Sequence, residues 1–458
     1  MRVWGLGLIG VVACGGAGPV DLGGDAGSDG AGASVDVAAA LAAQGLATAP
    51  GSFEILDLSG CCQTSCSGNN PTSPYGAFFV PEGPGQSARN AKERADGTSD
   101  TFRLRADEAI VWVGTTPPEA KYYGFTPYLM DRAGGAKGRT PIFASLSETL
   151  NVDVIGTDGA SPFESRAAIV VSADAATVSA VRAALAQAGV PAGAINTLEI
   201  DPTVSRFGLD DPADTFGVLF RYALPKDAAK KAAWLAHPPG ALWRVTPKTP
   251  NASPLPAPAA RPKGTDASEL ALAPAVQRLS DAIASANPLY AATPIAVDAG
   301  VPDPATCIAQ PRFCAGDNRD TTYPGTPVRV LFANDDDFYV VFGVDHQVSG
   351  KTTYANFSVY ALEHLVGLTG VASDKYPGSA QRFLPNDPDA PKLYAWKVAR
   401  ACNGEPFCLE VPKGSCPTGI DNGALGTLTF RTYLEPSSRT APDPATLVRD
   451  RVLHFKKK

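Results

Sequence analysis

Two stretches of the chain, 107–128 and 336–360, share one pattern, and this repetition sets the architecture that we expect. Each begins with an acidic pair, continues as a run of β-branched and aromatic residues, and ends that run at a glycine, Gly114 or Gly343. Such runs are typical of buried strands. A lysine follows, and then the series Tyr123, Phe125, Thr126 and Tyr128 in the first stretch and Tyr354, Phe357, Ser358 and Tyr360 in the second. We therefore predict a duplicated strand–loop–strand unit.

Strand and helix patterns alternate between these two stretches in the order β-α-β-β-α-β. The first unit is predicted as a strand at 167–171, a helix from Asp174 to about Gly189, and a strand at 195–200. Asp174 suits the N-cap because its carboxylate can accept from the free N–H groups of the first turn. The second unit is a strand at 216–224, a helix at 226–236 and a strand at 242–245. This order predicts a ferredoxin-like split βαβ layer.

The repetition extends to a second pair of segments. The series Phe220-Arg221-Tyr222 is similar to Phe430-Arg431-Thr432-Tyr433, and both precede an arginine–valine pair. We therefore predict an α+β fold of two related halves with antiparallel sheets and an internal pseudo-twofold. The ferredoxin-like layer belongs to the first half. The predicted segments are a signal peptide at 1–13, a flexible tether at 14–50, a disulfide-pinned lead-in at 51–106, the first half at 107–248, a Pro-rich linker with a helix and a Cys-clipped loop at 249–334, and the second half at 335–458.

The composition excludes some classes of protein. The chain has 458 residues, of which 44% are hydrophobic and 19% charged, so it is not disordered throughout. Its formal net charge of −7 argues against a surface for nucleic acid or anionic membranes, since either needs clustered Lys and Arg.

The first fourteen residues predict export. Arg2 is followed by an apolar run, Trp4–Ala13, which is too short to span a bilayer but suits a signal peptide. The sequence Val11-Val12-Ala13-Cys14 resembles the lipobox of bacterial lipoproteins. That resemblance implies cleavage before Cys14, lipidation of that cysteine and attachment to a membrane of the bacterial cell envelope, in the periplasm or at the cell surface. The alternative is an ordinary signal peptide with an incidental cysteine.

The cysteine count supports an oxidising compartment. Setting Cys14 aside leaves an even number, which predicts four disulfides in an exported chain. Those residues are Cys61, Cys62, Cys66, Cys307, Cys314, Cys402, Cys408 and Cys416. Cys307 and Cys314 form a natural local pair, and the connectivity of the others stays open. A zinc site is disfavoured because no C-x-x-C occurs and no histidine lies near these cysteines in sequence. No metal and no cofactor are predicted.

One histidine stands out as a candidate catalytic group. His346 follows the strand that ends at Gly343, next to Asp345 and shortly before Lys351 and Tyr354. If the chain folds back here, His346, Lys351 and Tyr354 could converge, with the histidine as a base and the lysine as an anion-binding group. The competing interpretation is a histidine that packs and hydrogen-bonds in a turn.

Two arginines are candidate ligand-binding groups. Arg221 and Arg431 occupy matching places between aromatic residues of predicted strands. They could form a symmetric pair of anion-binding groups. The alternative is a guanidinium stacked on the solvent face of a sheet.

The sequence leaves three functions open. G-x-S-x-G, H-E-x-x-H, Walker and C-x-x-C motifs are all absent from it, so the common enzymes with those signatures are not supported. We expect a lipid-anchored envelope protein that binds an unknown small molecule or envelope partner between its two halves. The alternative is an extracytoplasmic, hydrolase-like enzyme that uses His346 with Asp345, Lys351 and Tyr354. The third is a purely structural envelope component.

Overall fold

The fold is that of a computed structural model, which describes residues 36–63, 65–135, 138–264 and 268–458. The predicted signal peptide, the lipobox with Cys14 and the N-terminal side of the predicted tether lie outside these residues. The C-terminal side of that tether is not a flexible segment. It forms the helix α1 (Val37–Ala43), capped by Asp36, and the start of a long strand at Leu46.

Eleven strands form one large curled sheet in residues 46–247, which with α1 we call the N-terminal part. The strands are β1 (Leu46–Ile55), β2 (Tyr75–Pro81), β3 (Thr98–Ser99), β4 (Ala109–Thr115), β5 (Ala120–Gly135), β6 (Gly138–Ser145), β7 (Leu150–Asn151), β8 (Arg166–Ser172), β9 (Ile195–Glu199), β10 (Thr215–Pro225) and β11 (Gly240–Pro247). Their order is β6-β5-β10-β2-β1-β11-β4-β8-β9, with β3 beside β2 and β7 beside β5. The helices α2 (Ala175–Gln187) and α3 (Ala228–Ala236) lie between strands in sequence.

Residues 268–458, which we call the C-terminal part, form two further sheets. The strands are β12 (Tyr290–Ile295), β13 (Asp298–Ala299), β14 (Thr321–Thr322), β15 (Pro324–Gly325), β16 (Arg329–Val330), β17 (Phe338–Val344), β18 (Tyr354–Ala361), β19 (Val366–Ala372), β20 (Leu393–Ala399), β21 (Cys408–Glu410), β22 (Leu425–Tyr433) and β23 (Arg451–Lys457). One sheet has the order β12-β23-β17-β20-β21, and the other has the order β13-β15-β22-β18-β19, with β14 and β16 beside β22. The helices are α4 (Ala273–Ser285) and α5 (Pro304–Ala309).

The predicted fold class is wrong. The molecule is mostly β, with 36% strand and 16% helix, and it is not a helix-on-sheet ferredoxin-like arrangement. The strands β8 and β9 do flank α2 in parallel, but the next predicted unit separates. There β10 pairs with β5 and β2, whereas β11 pairs with β1 and β4. Local patterns predicted these strands without indicating their partners, because β pairing is decided by distant segments.

The strand pairing around the repeated stretches follows one pattern in both parts. In the N-terminal part, β4 pairs with β8 and β11, and β5 pairs with β6 and β10. In the C-terminal part, β17 pairs with β20 and β23, and β18 pairs with β19 and β22. Phe125 lies opposite Phe220, as Phe357 lies opposite Phe430. By the same register Tyr122, rather than Tyr123, corresponds to Tyr354.

The central strands are buried on both faces, which explains their continuous apolar runs. On β4, Ile110 and Trp112 pack in an aromatic core with Phe53, Phe125 and Phe220. The alternate residues of β4 pack beneath α1 and α2. On β17, the two faces pack in the same manner, one in the core that contains Phe357 and Phe430 and the other beneath α4.

The predicted cysteines lie at disulfide distance in four pairs. Cys307 pairs with Cys314, as predicted, and the open connectivity resolves as Cys61–Cys66, Cys62–Cys416 and Cys402–Cys408. The Cys62–Cys416 bond joins the N-terminal and C-terminal parts across 354 residues of sequence.

Candidate functional site

A cleft of about 500 Å³ lies beside the boundary of the two parts, and we refer to it as the cleft. Glu148 from the N-terminal part borders it, as do Ala260, Arg261 and Lys263 from the linker. The rest of its wall comes from the C-terminal part, chiefly the segment 298–324, the end of β22, and the residues that precede β23. Apolar side chains line much of this wall, among them Val301, Leu447 and Val448.

The floor of the cleft contains His346 and Asp450, and both are buried. Nδ1 of His346 lies 2.9 Å from both carboxylate oxygens of Glu269, and its Nε2 lies 3.7 Å from Oδ2 of Asp450. The hydroxyl of Tyr394 donates to Oδ1 of Asp450 at 2.6 Å. Burial disfavours a charged imidazole, but the two carboxylates outweigh it and raise the pKa of His346 to about 10. At neutral pH His346 is therefore an imidazolium held between two acids.

A second set of charges lies at the wall of the cleft, where Glu148 and Arg261 are lining residues and Asp320 is a fully buried neighbour that does not line it. Nε of Arg261 lies 3.2 Å from Oε2 of Glu148, and its Nη2 lies 3.3 Å from Oδ1 of Asp320. Asp320 also accepts from Nδ2 of Asn151 at 2.9 Å and from the hydroxyl of Tyr122 at 3.0 Å. Burial raises the pKa of Asp320 to about 7, although Arg261 and these donors oppose the shift.

One hydroxyl in the lining has no partner. Thr321 lies in the short strand β14 and is 7% exposed, and its Oγ1 makes no hydrogen bond with the described residues. The cost of burying an unpaired hydroxyl is about 1–3 kcal/mol.

The three predicted catalytic residues have separate partners. A backbone bond from N–H of Lys351 to the carbonyl of His346, at 3.0 Å, closes the turn between them. The ammonium of Lys351, however, donates to Oε1 of Glu435 at 2.5 Å, and both side chains are buried. The hydroxyl of Tyr354 bonds instead with Asn70, at 3.2 Å. Of the three, only His346 lines the cleft, and a catalytic role for them stays a prediction.

Asp345, the fourth residue of that predicted group, caps the turn after β17. Its Oδ1 accepts from N–H of Gln347 at 3.1 Å and from N–H of Val348 at 3.4 Å. Burial raises the pKa of this carboxyl. The structure gives Asp345 a role in the turn, and Glu269 rather than Asp345 contacts the imidazole of His346.

Two loops of the same five-residue motif connect the N-terminal and C-terminal parts. The loops are Cys66-Ser67-Gly68-Asn69-Asn70 and Cys314-Ala315-Gly316-Asp317-Asn318. Their second and third residues share a left-handed backbone, with φ of 53° and 73° in the first loop and 56° and 65° in the second. The motif is visible in the sequence, and the sequence analysis missed it.

Each loop contacts strands of the other part of the chain. Nδ2 of Asn70 donates to the hydroxyl of Tyr354 at 3.2 Å, and the amide of Asn356 donates to Oδ1 of Asn70 at 2.8 Å. In the same manner, Nδ2 of Asn318 donates to the hydroxyl of Tyr122 at 2.8 Å. The two parts are thus joined by reciprocal side-chain contacts.

The predicted ligand-binding arginines lie where these loops meet the sheets. Nη2 of Arg221 donates to the carbonyl of Gly316 at 3.0 Å, and Nη2 of Arg431 donates to the carbonyl of Gly68 at 3.3 Å. Both arginines are 5% exposed, so neither is stacked on a solvent face. Ligand binding by this pair stays a prediction. We refer to the two arginines and the tyrosines around them as the arginine–tyrosine centre, formed by Arg221, Arg431, Tyr75, Tyr128, Tyr323, Tyr360 and Tyr433.

One group of cysteines has the spacing to hold a metal ion within the part of the chain that the structure describes. The sulfurs of Cys61, Cys62 and Cys66 lie within 4.8 Å of one another. All three are in disulfides, which leaves no thiolate to act as a ligand.

Comparisons with known proteins leave the function open. No protein-family model and no curated protein matches the chain. An uncharacterised protein of Burkholderia cenocepacia is structurally similar with a TM-score of 0.40 and 15% identity, over 89% of this chain and 81% of its own. The VPA0106 protein of Vibrio parahaemolyticus gives a TM-score of 0.36 and 10% identity, over 78% of this chain and 87% of its own. Similarity at this level carries no argument about function.

Within the part of the chain that the structure describes, no helix is both long and apolar enough to cross a bilayer.

Proposed function

We propose that the protein binds a small organic ligand in the cleft, at the bacterial cell envelope. The observation that carries this proposal is the volume of about 500 Å³, in a cleft whose lining combines apolar side chains with the buried polar groups His346 and Asp450. Pockets of this volume suit drug-sized molecules, and a few convergent polar groups in an apolar wall fix the orientation of a ligand.

The lining favours a ligand with an apolar body and a hydrogen-bond donor. Arg261 is already paired with Glu148 and Asp320. Arg319 and Arg449 also line the cleft, at 3.8 Å from Glu148 and 3.7 Å from Asp298. Lys263 lines the cleft without an ion pair among the described residues, so the preference for a hydrogen-bond donor rests on the floor. On the floor, one imidazolium faces the carboxylates of Glu269 and Asp450, which leaves net negative charge there. Oδ1 of Asp450 already accepts from Tyr394, and its Oδ2 is the natural acceptor for a neutral or cationic ligand group.

Export to the envelope is part of this proposal. The four pairs of cysteines at disulfide distance support it, because disulfides persist in oxidising compartments. Lipidation at Cys14 would then attach the protein to the membrane. Several acyl chains on one residue give stable anchoring, which a single chain does not.

An extracytoplasmic enzyme is the second candidate, because His346 and Asp450 line the floor of a cleft. A hydrolase base must be neutral to accept a proton, whereas the pKa of His346 is raised to about 10. An enzyme at this site would have to use His346 as an acid or as a fixed positive charge. Binding without chemical change is therefore the better-supported function.

The test is ligand capture. A truncated protein that begins at Asp36, which keeps α1 and β1 intact, is incubated with an envelope extract and washed, and the released molecules are analysed by mass spectrometry. We expect an unaltered small molecule to be retained. Conversion of a molecule in the extract would favour the enzyme instead, and retention of nothing would favour a structural component.

Two variants that replace an alanine of α5 by tryptophan make this test specific for the cleft. Ala305 is exposed on α5 and lines the cleft, so Ala305→Trp should fill part of its volume and abolish retention. Ala309, at the end of the same helix, is also exposed and does not line the cleft. Equal retention by wild type, Ala305→Trp and Ala309→Trp would contradict binding in the cleft.

A further inference from the structure

The arginine–tyrosine centre contains two guanidiniums in matching environments. Cζ of Arg221 lies 5.6 Å from the ring centroid of Tyr75 and 5.5 Å from that of Tyr128. Cζ of Arg431 lies 5.6 Å from the ring centroid of Tyr323 and 5.5 Å from that of Tyr360. Each guanidinium is therefore placed between two aromatic faces.

Neither guanidinium has an acidic partner among the described residues. Their Nη2 atoms donate to the backbone carbonyls of Gly316 and Gly68, and Arg431 also donates to the hydroxyl of Tyr360 at 2.5 Å. The Nη1 atom of each is buried and has no acceptor in the part of the chain that the structure describes. Asp317 is close enough to Arg221 to interact with it electrostatically, but its carboxylate is bonded elsewhere. It accepts from the N–H of Ser145 at 2.8 Å and from the hydroxyl of Ser145 at 2.6 Å. Two other buried arginines differ, since Arg244 and Arg132 each form a close ion pair with a carboxylate.

The two guanidiniums have tyrosine neighbours in common. Tyr75, Tyr323 and Tyr433 are near enough to both guanidiniums for their charge states to affect either of them. Burial raises the pKa of Tyr323 and Tyr433, so neither ring is a tyrosinate at neutral pH that could balance the arginines. Two like charges in a low-dielectric interior repel each other, and burying a charge without a counter-charge is expensive.

We infer that the arginine–tyrosine centre binds one small tetrahedral oxyanion, of the sulfate or phosphate class, between the N-terminal and C-terminal parts. The two free Nη1 atoms supply charge-assisted donors, and an anion of charge −2 balances two guanidiniums. Tyr323 belongs to this centre and also lines the cleft, but neither arginine lines the cleft, and the arginines carry this assignment. Its effect is structural, because an anion held by Arg221 of β10 and Arg431 of β22 bridges the two parts.

The first measurement is the melting temperature of the wild-type protein in an oxyanion-free buffer, with sulfate added at constant ionic strength. Each tenfold step of sulfate above its dissociation constant should raise the melting temperature by roughly 1–3 °C. Titration calorimetry should give one sulfate per chain. An equal rise with sodium chloride alone would overturn the oxyanion assignment, and no response to sulfate or phosphate would overturn the site.

Variants separate binding from folding. Arg221→Gln and Arg431→Gln should each weaken sulfate binding at least about tenfold, since each removes a charge-assisted donor. The double variant should show no sulfate response, yet should melt no lower than the anion-free wild type, because both repelling charges are gone. A double variant that melts far below the anion-free wild type would mean that the arginines stabilise the fold without an anion.

Arg400 provides the matched control. It is buried and lies over the ring of Phe332 at 4.2 Å, and it donates to the carbonyls of Val411 and Pro412 at 3.2 and 3.1 Å. It lies outside the arginine–tyrosine centre. Arg400→Gln should lower the melting temperature and keep the full sulfate response, and loss of the response in this variant would show that general destabilisation explains the result.

Discussion

A Cβ atom on Gly343 would lie 2.9 Å from Oδ1 of Asp450, closer than Cβ atoms approach other atoms in folded proteins. The glycine that ends the second repeated run therefore makes room for the carboxylate on the floor of the cleft. That oxygen accepts from the hydroxyl of Tyr394, and the other carboxylate oxygen faces His346. The position of Gly343 and the charge arrangement of the cleft are thus linked by direct contact.

Gly343→Ala should destabilise the protein by about 1–3 kcal/mol, because Asp450 must move and its bond with Tyr394 is disturbed. The measurement is the free energy of unfolding in urea. Gly325→Ala is the control, since a Cβ there would lie 3.4 Å from its nearest neighbour, an ordinary contact. Equal losses in the two variants would contradict the steric explanation.

The charge of His346 should make stability depend on pH. Its pKa is raised to about 10 in the folded state, above an unfolded value of about 6.5, because Glu269 and Asp450 outweigh burial. The stabilisation is complete below pH about 6.5 and is lost as the pH rises through about 10, with a limiting slope of about 1.4 kcal/mol per pH unit. We expect the difference in unfolding free energy between wild type and His346→Gln to shrink from pH 6 to pH 10. A constant difference would contradict a charged imidazole.

Asp320 should produce a dependence in a lower pH window. Burial raises its folded pKa to about 7, above an unfolded value of about 3.9, so the folded state favours the protonated acid. Stability contributed by this group is present below pH about 4 and is lost as the pH rises through about 7. Asp320→Asn keeps the shape of the side chain and should remove this part of the pH dependence. The comparison of urea unfolding curves at pH 4.5 and 7.5 checks this, and an unchanged dependence in the variant would refute it.

Lys351 and Glu435 should behave as a buried ion pair. Their side chains are 1% and 3% exposed, so Lys351→Met leaves a buried carboxylate unpaired and should cost about 3–5 kcal/mol. Adding Glu435→Gln should recover much of this loss. A double-mutant cycle measured by urea unfolding gives the coupling. A coupling near zero would mean that Lys351 is held for another purpose, such as the anion-binding role first considered for it.

The strands of the repeated stretches could be predicted from the sequence, but their partners could not. Runs of β-branched and aromatic residues identified β4 and β17 because both faces of these strands are buried. The ferredoxin-like interpretation failed because a strand–helix–strand pattern does not specify that β10 pairs with β5 and β2 while β11 pairs with β4. Pairing by β1, in a segment predicted as tether and lead-in, then joins these strands in one sheet.

The candidate site was predictable only in its parts. The position of His346 after a buried strand was visible, whereas Glu269 and Asp450 are distant in sequence and lie in segments without a motif. The repeated Cys-x-Gly-x-Asn loops could have been found by extending the search for repeats upstream of Asp107. The packing of these loops on the opposite part of the chain could not have been predicted, because it depends on tertiary contacts such as those of Asn70 with Tyr354 and Asn356.

The bond between Cys62 and Cys416 turns 355 residues, counted from one cysteine to the other, into a closed covalent ring. A protease that cuts once within this ring, for example in the proline-rich linker, opens the ring without dividing the molecule. The nicked protein keeps its mass, apart from one added water, until a reductant separates the fragments. Resistance to release by proteolysis is thus built into the chain by one bond, independently of how firmly any single loop is packed.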